Sequence, residues 1–108
     1  MGALAHGIGN SLYEWMGFGP DGQPLTTNLA DYLLVTATEM PPMQFSHRES
    51  PTPLNPLGVK GVGESGVIPL PAAIASAVED ALSPFGVRIR NIPIKPDALY
   101  SQLSQRVT

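Results

Sequence analysis

The sequence contains no cysteine and only six lysine and arginine residues among 108 positions. Without cysteine, the chain can form no disulfide, no thiolate zinc or iron–sulfur site and no thiolate nucleophile. The cations are scattered singly and the formal net charge is −3, so there is no basic patch that would gather the phosphates of a nucleic acid. We therefore expect neither nucleic-acid binding nor a redox centre held by sulfur in this chain.

Long hydrophobic runs are also missing. No stretch approaches the roughly 18 apolar residues that a membrane-spanning helix needs, and the N-terminal stretch lacks the basic start and apolar core of a secretory signal. These absences predict no membrane association and a cytoplasmic location. The two histidines, His6 and His47, have no third ligand at a workable spacing, which argues against a zinc or iron site.

Proline and glycine are abundant, with 12 and 11 residues respectively. A large share of the backbone must therefore lie in turns and irregular segments. The hydrophobic content of 43% is ordinary for a globular protein, but a chain of this length rarely encloses a large cofactor by itself. We expect one domain over residues 1–108, or part of a larger one.

Apolar periodicity predicts three helices. The first lies over residues 8–16 and ends near Gly17, where the turn-forming sequence GPDGQ at 19–23 follows. The second and clearest runs from Pro71 to Leu82, because Pro suits a first helical turn and an apolar stripe follows it. A short terminal helix is expected over residues 96–105.

Alternating apolar and polar residues predict a half-buried strand that begins at Met43 and ends at Ser50. A last strand is expected over residues 87–94, interrupted by proline. The three prolines of residues 51–56 favour an extended, rigid connection, and residues 25–37 suit either a strand or a short helix. The predicted fold is α+β, with two main helices packed on a small mixed or antiparallel sheet and long Pro/Gly-rich connections.

Three of the seven aromatic residues, Trp15, Tyr13 and Tyr32, are expected to be buried anchors rather than a stacking platform.

The most informative stretch is a glycine-rich loop around a single carboxylate. Residues 57–73 read LGVKGVGESGVIPLPAA, so that four glycines surround Glu64 and the loop leads directly into the second helix. Glycines at this density let a backbone turn sharply and approach a ligand closely. In an arbitrary sequence such a loop is usually structural, with Glu64 and Lys60 solvated. The sequence GVGESG at 61–66 resembles a dinucleotide-binding motif, but prolines rather than a hydrophobic strand precede it, so we exclude that motif.

This loop, together with other blocks, resembles the C-terminal segment of the molybdenum hydroxylase large subunit. That family includes xanthine dehydrogenase, aldehyde oxidase and aerobic carbon monoxide dehydrogenase. The resemblance covers nearly the entire chain, in the family's order: GIGNSLYE at 7–14, DGQPLTTNLADYLL at 21–34, SPTPLNPLGVKGVGESG at 50–66 and PAAIASAVEDAL at 71–82.

The resemblance implies a role for the loop. Glu64 falls on the family's catalytic glutamate, which lies beside the molybdenum and acts as a general base. Gly61, Val62 and Gly63 match the loop that presents this glutamate, and their backbone N–H groups are expected to contact the cofactor. Lys60 either orients the loop or meets a phosphate, and a solvated role fits it as well.

A second implied contact lies near the N-terminus. Gly7, Ile8 and Gly9 match a short glycine turn before a helix that approaches the pterin in the family, so Gly7 and Gly9 are further candidate cofactor-binding residues. The family usually carries Gln where this chain has His6. Because of this difference, the resemblance does not assign a pterin contact to His6.

The resemblance further implies a molybdopterin cofactor, as its cytosine dinucleotide in a bacterial source, held by the complete subunit and not by this chain alone. The partners are then the remainder of the molybdenum-binding subunit and separate iron–sulfur and flavin subunits. The resemblance is equally compatible with oxidation of an aldehyde, an N-heterocycle or carbon monoxide. The alternative is a non-catalytic module that keeps the family scaffold and binds a partner or itself. Self-association into a homo-oligomer is expected in either case.

Overall fold

In the computed structural model, which describes residues 1–105, the chain forms three α-helices and one short 3-10 helix. Helix α1 is Gly2–Leu12, α2 is Leu70–Ala81 and α3 is Pro96–Ser104, and the 3-10 helix Ser83–Phe85 follows α2 directly. Long irregular segments connect these elements, as the content of proline and glycine predicted.

Helix α1 begins and ends earlier than the sequence pattern predicted. The expected helix over 8–16 is wrong at both ends, because the helix-favouring start Ala3-Leu4-Ala5 already lies in α1. The helix ends at Leu12, since Tyr13 leaves helical geometry with φ −127° and donates its N–H to the Gly9 carbonyl. The apolar spacing that suggested a longer helix continued past this end into an irregular segment.

The two later helices confirm their predictions to within one residue. Helix α2 has prolines at its start, Pro69 and Pro71, where the missing N–H removes no helical hydrogen bond. After the 3-10 helix, Gly86 adopts the left-handed region at φ 62°, which favours glycine. Helix α3 likewise begins at a proline, Pro96, with Asp97 in its first turn, where a carboxylate suits the helix dipole.

The predicted turn at residues 19–23 is confirmed. Gly22 N–H donates to the Gly19 carbonyl at 2.9 Å, and Gly19 N–H donates to the Gln23 carbonyl at 2.8 Å. An isolated antiparallel bridge joins Phe18 to Pro24 across the turn. Residues 25–37, expected as a strand or a short helix, form neither and run through bends and turns.

No β-strand forms within residues 1–105, where that single bridge is the only strand-like pairing. The segments 43–50 and 87–94, predicted as strands, have no partner strand, so the sheet expected within this chain is not found. Alternation of apolar and polar side chains alone cannot make a strand, because each backbone N–H and C=O needs a partner on a neighbouring strand. The α+β class of the fold stays a prediction.

The proline-rich segment 51–56 is also different from its prediction. It folds into a closed loop rather than an extended connection, because Thr52 N–H donates to the Gly58 carbonyl at 3.1 Å. The Asn55 side chain fills this loop and bonds Val59 on both sides, with its amide donating to the Val59 carbonyl at 2.9 Å and its carbonyl accepting from Val59 N–H at 3.1 Å.

The hydrophobic core is small. Among the described residues only two apolar side chains are buried, Val87 at 2% exposure and Ile94 at 7%. Ile94 N–H donates to the carbonyl of Ser11 in α1 at 2.7 Å, which fixes the last extended segment to the first helix. The expected aromatic anchors are not fully buried: Trp15 is 41% exposed and lies beneath Lys95, whose Nζ is 3.6 Å from the ring centroid.

The chain is open rather than compact. Its radius of gyration is 18.0 Å and it extends over 60 × 38 × 27 Å, whereas a compact domain of about 100 residues has a radius of about 13 Å. The accessible surface is 8462 Å², while a compact protein of this mass exposes about 5,800 Å². A large area that a self-contained domain would bury is therefore accessible here.

No helix within residues 1–105 is both long and apolar enough to cross a membrane. In the same part of the chain, no three His, Asp or Glu side chains come together as a metal site.

Candidate functional site

The candidate site is the loop that leads from the proline-rich segment into α2. The chain enters it at Gly58, whose φ of 66° lies in the left-handed region. A side chain here would also come 2.8 Å from Cβ of Pro51. Glycine at this position therefore lets the chain fold back on the segment 51–58 before it continues to Glu64.

Glu64 lies in a tight turn with an exposed side chain. The turn is closed by Ser65, whose N–H and Oγ both donate to the Val62 carbonyl, at 3.2 and 2.7 Å. The carbonyl of Glu64 then accepts from the N–H groups of Val67 and Ile68 at 3.0 and 3.1 Å. The local backbone around Glu64 is thus well defined, while its carboxylate projects into open space.

The backbone on the other side of Glu64 suits a cofactor with oxygen-rich groups. Within residues 1–105, the N–H groups of Gly61, Val62, Gly63 and Glu64 donate no hydrogen bond. A Cβ placed on Gly61 or Gly63 would meet no heavy atom within 4 Å. Successive free N–H groups on an open glycine loop are the donors that phosphate and carbonyl oxygens use in proteins, so these residues fit the pterin cofactor that the sequence implies.

Lys60 is held at the edge of this loop by a partner that the sequence did not indicate. Its Nζ donates to Ser50 Oγ at 3.0 Å, and both residues line a cleft of about 480 Å³ together with Arg48. Glu49 also lines this cleft, but the single ion pair among the described residues joins Arg88 to Glu79, so neither cation of the cleft forms an ion pair with it. Ser50 begins the block at 50–66 that resembles the family and Arg48 lies just before it, but the sequence assigned neither residue a role.

Gly7 lies next to the end of this loop. A Cβ on Gly7 would fall 2.7 Å from Cδ2 of Leu70, the first residue of α2, and a Cβ on Gly66 would fall 2.9 Å from Cβ of Ala3 in α1. The structure therefore brings α1 and the glycine loop together, as is required if both regions contact the same cofactor. Gly7 itself is buried, so it allows close helix packing rather than presenting an open backbone.

Gly9 faces a different part of the chain. A side chain there would collide with the Glu14 carboxylate and touch Val35. Glu14 Oε2 accepts a hydrogen bond of 2.6 Å from Tyr32 OH. This bond to the carboxylate raises the pKa of Tyr32 above its ordinary value, and burial and the Glu14 charge raise it further. Gly9 thus makes room for a Glu14–Tyr32 link between α1 and the segment after the turn, inside a helix and not in the turn that was expected.

Comparison with known proteins identifies the family. A family model described as a molybdopterin cofactor-binding domain matches residues 1–41, the part that includes α1 and the turn but not the Glu64 loop. Subunit gamma of the 6-hydroxypseudooxynicotine dehydrogenase complex from Paenarthrobacter nicotinovorans is 45% identical over 103 residues, covering 94% of this chain and 13% of that protein.

Two further proteins agree with this match. The nicotine 6-hydroxylase large subunit of the same organism is 42% identical, over 89% of this chain and 12% of the relative. The crystal structure of quinoline 2-oxidoreductase from Pseudomonas putida 86 superimposes with a TM-score of 0.93 at 41% identity, over 97% of this chain and 13% of that chain. The chain thus spans about an eighth of the length of these relatives. It belongs to the family of molybdenum hydroxylases, as a segment of their molybdopterin-binding large subunit.

Proposed function

We propose that this chain supplies the catalytic carboxylate, Glu64, to the active site of a molybdopterin-dependent hydroxylase or dehydrogenase. The observation that carries the proposal is the state of Glu64, an exposed carboxylate on a closed turn that free backbone N–H groups and open glycines flank.

Glu64 acts as the proton acceptor at the reacting centre. A carboxylate can serve this way once it lies within hydrogen-bond reach of the proton that it removes. The turn closed by Ser65 fixes the backbone that carries Glu64, and the N–H groups of residues 61–63 bind and orient the cofactor's oxygen atoms. When bound, the molybdenum cofactor takes up the two electrons that the substrate loses.

The proposed substrate is an aromatic N-heterocycle. Two of the three relatives described above, which are more similar in sequence than the carbon monoxide dehydrogenase and aldehyde oxidoreductase subunits that also match, are named for nicotine and quinoline, which both contain an aromatic ring nitrogen. Such a ring is electron-poor next to its nitrogen, where hydroxylation needs an electrophilic carbon. Aldehyde and carbon monoxide oxidation, which the sequence left equally open, are the less favoured substrates.

The remaining parts of the proposal concern the assembly. The cofactor is molybdopterin cytosine dinucleotide, and the chain is inactive alone, because the rest of the large subunit and the iron–sulfur and flavin subunits complete the enzyme. The segments 43–50 and 87–94 join sheets of that larger subunit, which would give the α+β fold expected from the sequence. The assembly is cytoplasmic and pairs with itself, as the sequence led us to expect.

The rival function is a non-catalytic module that keeps the family scaffold. Its specific support is the number of exposed apolar side chains, which include Leu29, Leu54, Leu57 and Ile68 and which a binding module would use to hold a partner. The two functions differ in what happens when the Glu64 charge is removed.

The test is Glu64→Gln in the complete enzyme, with Glu39→Gln as the control on another exposed turn. The catalytic account expects kcat to fall by about 10²- to 10⁴-fold for Glu64→Gln, with molybdenum and pterin content unchanged, and to stay near wild type for Glu39→Gln. Wild-type turnover of Glu64→Gln would reject the catalytic role and favour the binding module.

A further inference from the structure

Four aliphatic side chains stand out from the chain just before Glu64. They are Leu54 at 91% exposure, Leu57 at 83%, Val59 at 62% and Val62 at 65%. We call these four residues the aliphatic ridge. Exposed apolar side chains are common when they are scattered singly, whereas four of them within residues 54–62, directly before Glu64, make this segment a candidate interaction surface.

The ridge lies on a stretch that the chain itself positions weakly. The loop 53–58 is closed internally by its own hydrogen bonds. Among the described residues, the only side-chain bond from Lys60 reaches Ser50, which belongs to the same part of the chain. Further along, Gly61 and Gly63 have open space where a Cβ would lie. The loop is therefore shaped locally, but within residues 1–105 little holds residues 54–63 against the helices.

A general base must nevertheless be placed to within hydrogen-bond reach of its proton. Since the described residues do not provide this placement, another surface must. The ridge is the feature nearest in sequence to Glu64 that can dock on such a surface, and its aliphatic character calls for an apolar partner rather than a charged one.

The occupant follows from the size and shape of the relatives. The chain superimposes over 97% of its length on a segment of the solved quinoline 2-oxidoreductase chain, of which it covers only 13%. Its accessible surface of 8462 Å² exceeds the roughly 5,800 Å² of a compact protein of this mass. The relative thus has the same open shape within a much longer chain. The other parts of that longer chain are the surface on which the ridge would dock.

We infer that the aliphatic ridge docks on an apolar surface of the remainder of the large subunit, and that this docking positions Glu64. The inference rests on the proposed function for what Glu64 does, but not for where the ridge lies. Leu54 and Leu57 are then positioning residues that do not touch the substrate.

The direct test is thiol labelling in the assembled enzyme. Because this chain has no cysteine, Leu57→Cys and Leu54→Cys each give one labelling site in its peptides, and Gln23→Cys in the polar turn is the control. We expect labelling at positions 57 and 54 to be at least tenfold slower than at position 23 in the native enzyme, and equal to it after denaturation. Equal rates in the native enzyme would overturn the docking of the ridge.

Kinetics tests the positioning role. Leu57→Ser is expected to lower kcat per molybdenum by about tenfold, because an apolar contact is lost, while KM changes less than twofold. Leu57→Met, which keeps the volume, should restore most of the rate. A loss of molybdenum with unchanged kcat per molybdenum would overturn the positioning role, since the ridge would then only hold the fold together.

The two proposals can fail separately. Labelling at positions 54 and 57 does not depend on the chemistry of Glu64, so protection can persist even where Glu64→Gln turns over normally. Conversely, a dead Glu64→Gln variant with an unprotected ridge would retain the catalytic proposal and reject this inference.

Discussion

Gly7 of α1 lies directly against Leu70, the first residue of α2. A Cβ on Gly7 would come 2.7 Å from Cδ2 and 2.8 Å from Cβ of that leucine. Because Leu70 follows Glu64 by only six positions, this contact fixes the end of the glycine loop against the first helix. The close approach of the two helices is thus part of what shapes the site.

A methyl group at position 7 should therefore destabilise the subunit. Gly7→Ala places its Cβ against Leu70 Cβ, which belongs to the start of the side chain and cannot simply swing away. Such overpacking costs about 1–3 kcal/mol, which thermal or urea unfolding of the large subunit measures. Bound cofactor should also decrease, since the loop moves with Leu70.

The matched control is Gly2→Ala in the same helix. A Cβ at Gly2 meets no heavy atom within 4 Å, so this variant tests the helix without the collision. It should be neutral or slightly stabilising, because alanine favours helices more than glycine does. An equal loss of stability in both variants would mean that the Gly7–Leu70 contact is unimportant.

Tyr32 should titrate at unusually high pH. Its OH donates to Glu14 at 2.6 Å, and this bond raises the pKa of Tyr32. The folded-state pKa lies above the unfolded value of about 10, so the bond stabilises the fold at lower pH and this contribution is lost as the pH rises through the folded-state pKa. Ultraviolet difference titration against Tyr32→Phe follows the phenolate.

Glu14→Gln supplies the comparison for this titration. It removes the acceptor charge and should move the Tyr32 transition back towards the ordinary tyrosine range. If the transition stays where it is, the Glu14–Tyr32 bond is not the cause of the raised pKa.

Glu79 should matter more to stability than its ion-pair partner. Its Oε1 accepts the N–H of Ile89 at 2.7 Å, which ties the segment after Val87 to α2, whereas its Oε2 meets an Arg88 side chain that is 72% exposed. Loss of a charged acceptor from a backbone N–H costs about 1–3 kcal/mol. Exposed ion pairs contribute less than about 1 kcal/mol.

Unfolding of Glu79→Ala and Arg88→Ala in the large subunit separates these contributions. We expect a clear loss for Glu79→Ala and a small one for Arg88→Ala. Equal losses would show that the ion pair, and not the bond to Ile89 N–H, fixes the segment.

The helices could be predicted where the sequence carries its own start and stop signals. Pro71, the apolar stripe and the later Pro84 and Gly86 define α2 locally, so its prediction needed no tertiary information. The first helix was misplaced because Trp15 and Met16 continue the apolar spacing beyond Leu12, although both lie outside the helix and are exposed. Periodicity reports which residues are apolar and not where the backbone hydrogen bonds end.

The predicted strands are not found within residues 1–105 for a different reason. Alternation over 43–48 describes a segment that is fit for a sheet, but a strand exists only with a partner, and within residues 1–105 none is present. The same limit applies to the site: the sequence indicated Glu64 and its glycines, yet the contact of Gly7 with Leu70 and the bond from Lys60 to Ser50 depend on residues far apart in the chain.

The most direct measurement is the anaerobic rate at which an N-heterocyclic substrate such as quinoline or nicotine reduces the complete enzyme in a single turnover. Wild type, Glu64→Gln and Glu39→Gln are compared at equal molybdenum content, which removes differences in cofactor loading. The account predicts a reduction rate lower by about 10²- to 10⁴-fold for Glu64→Gln alone. Reduction of Glu64→Gln at the wild-type rate would contradict it, because the proton would then be accepted by another group.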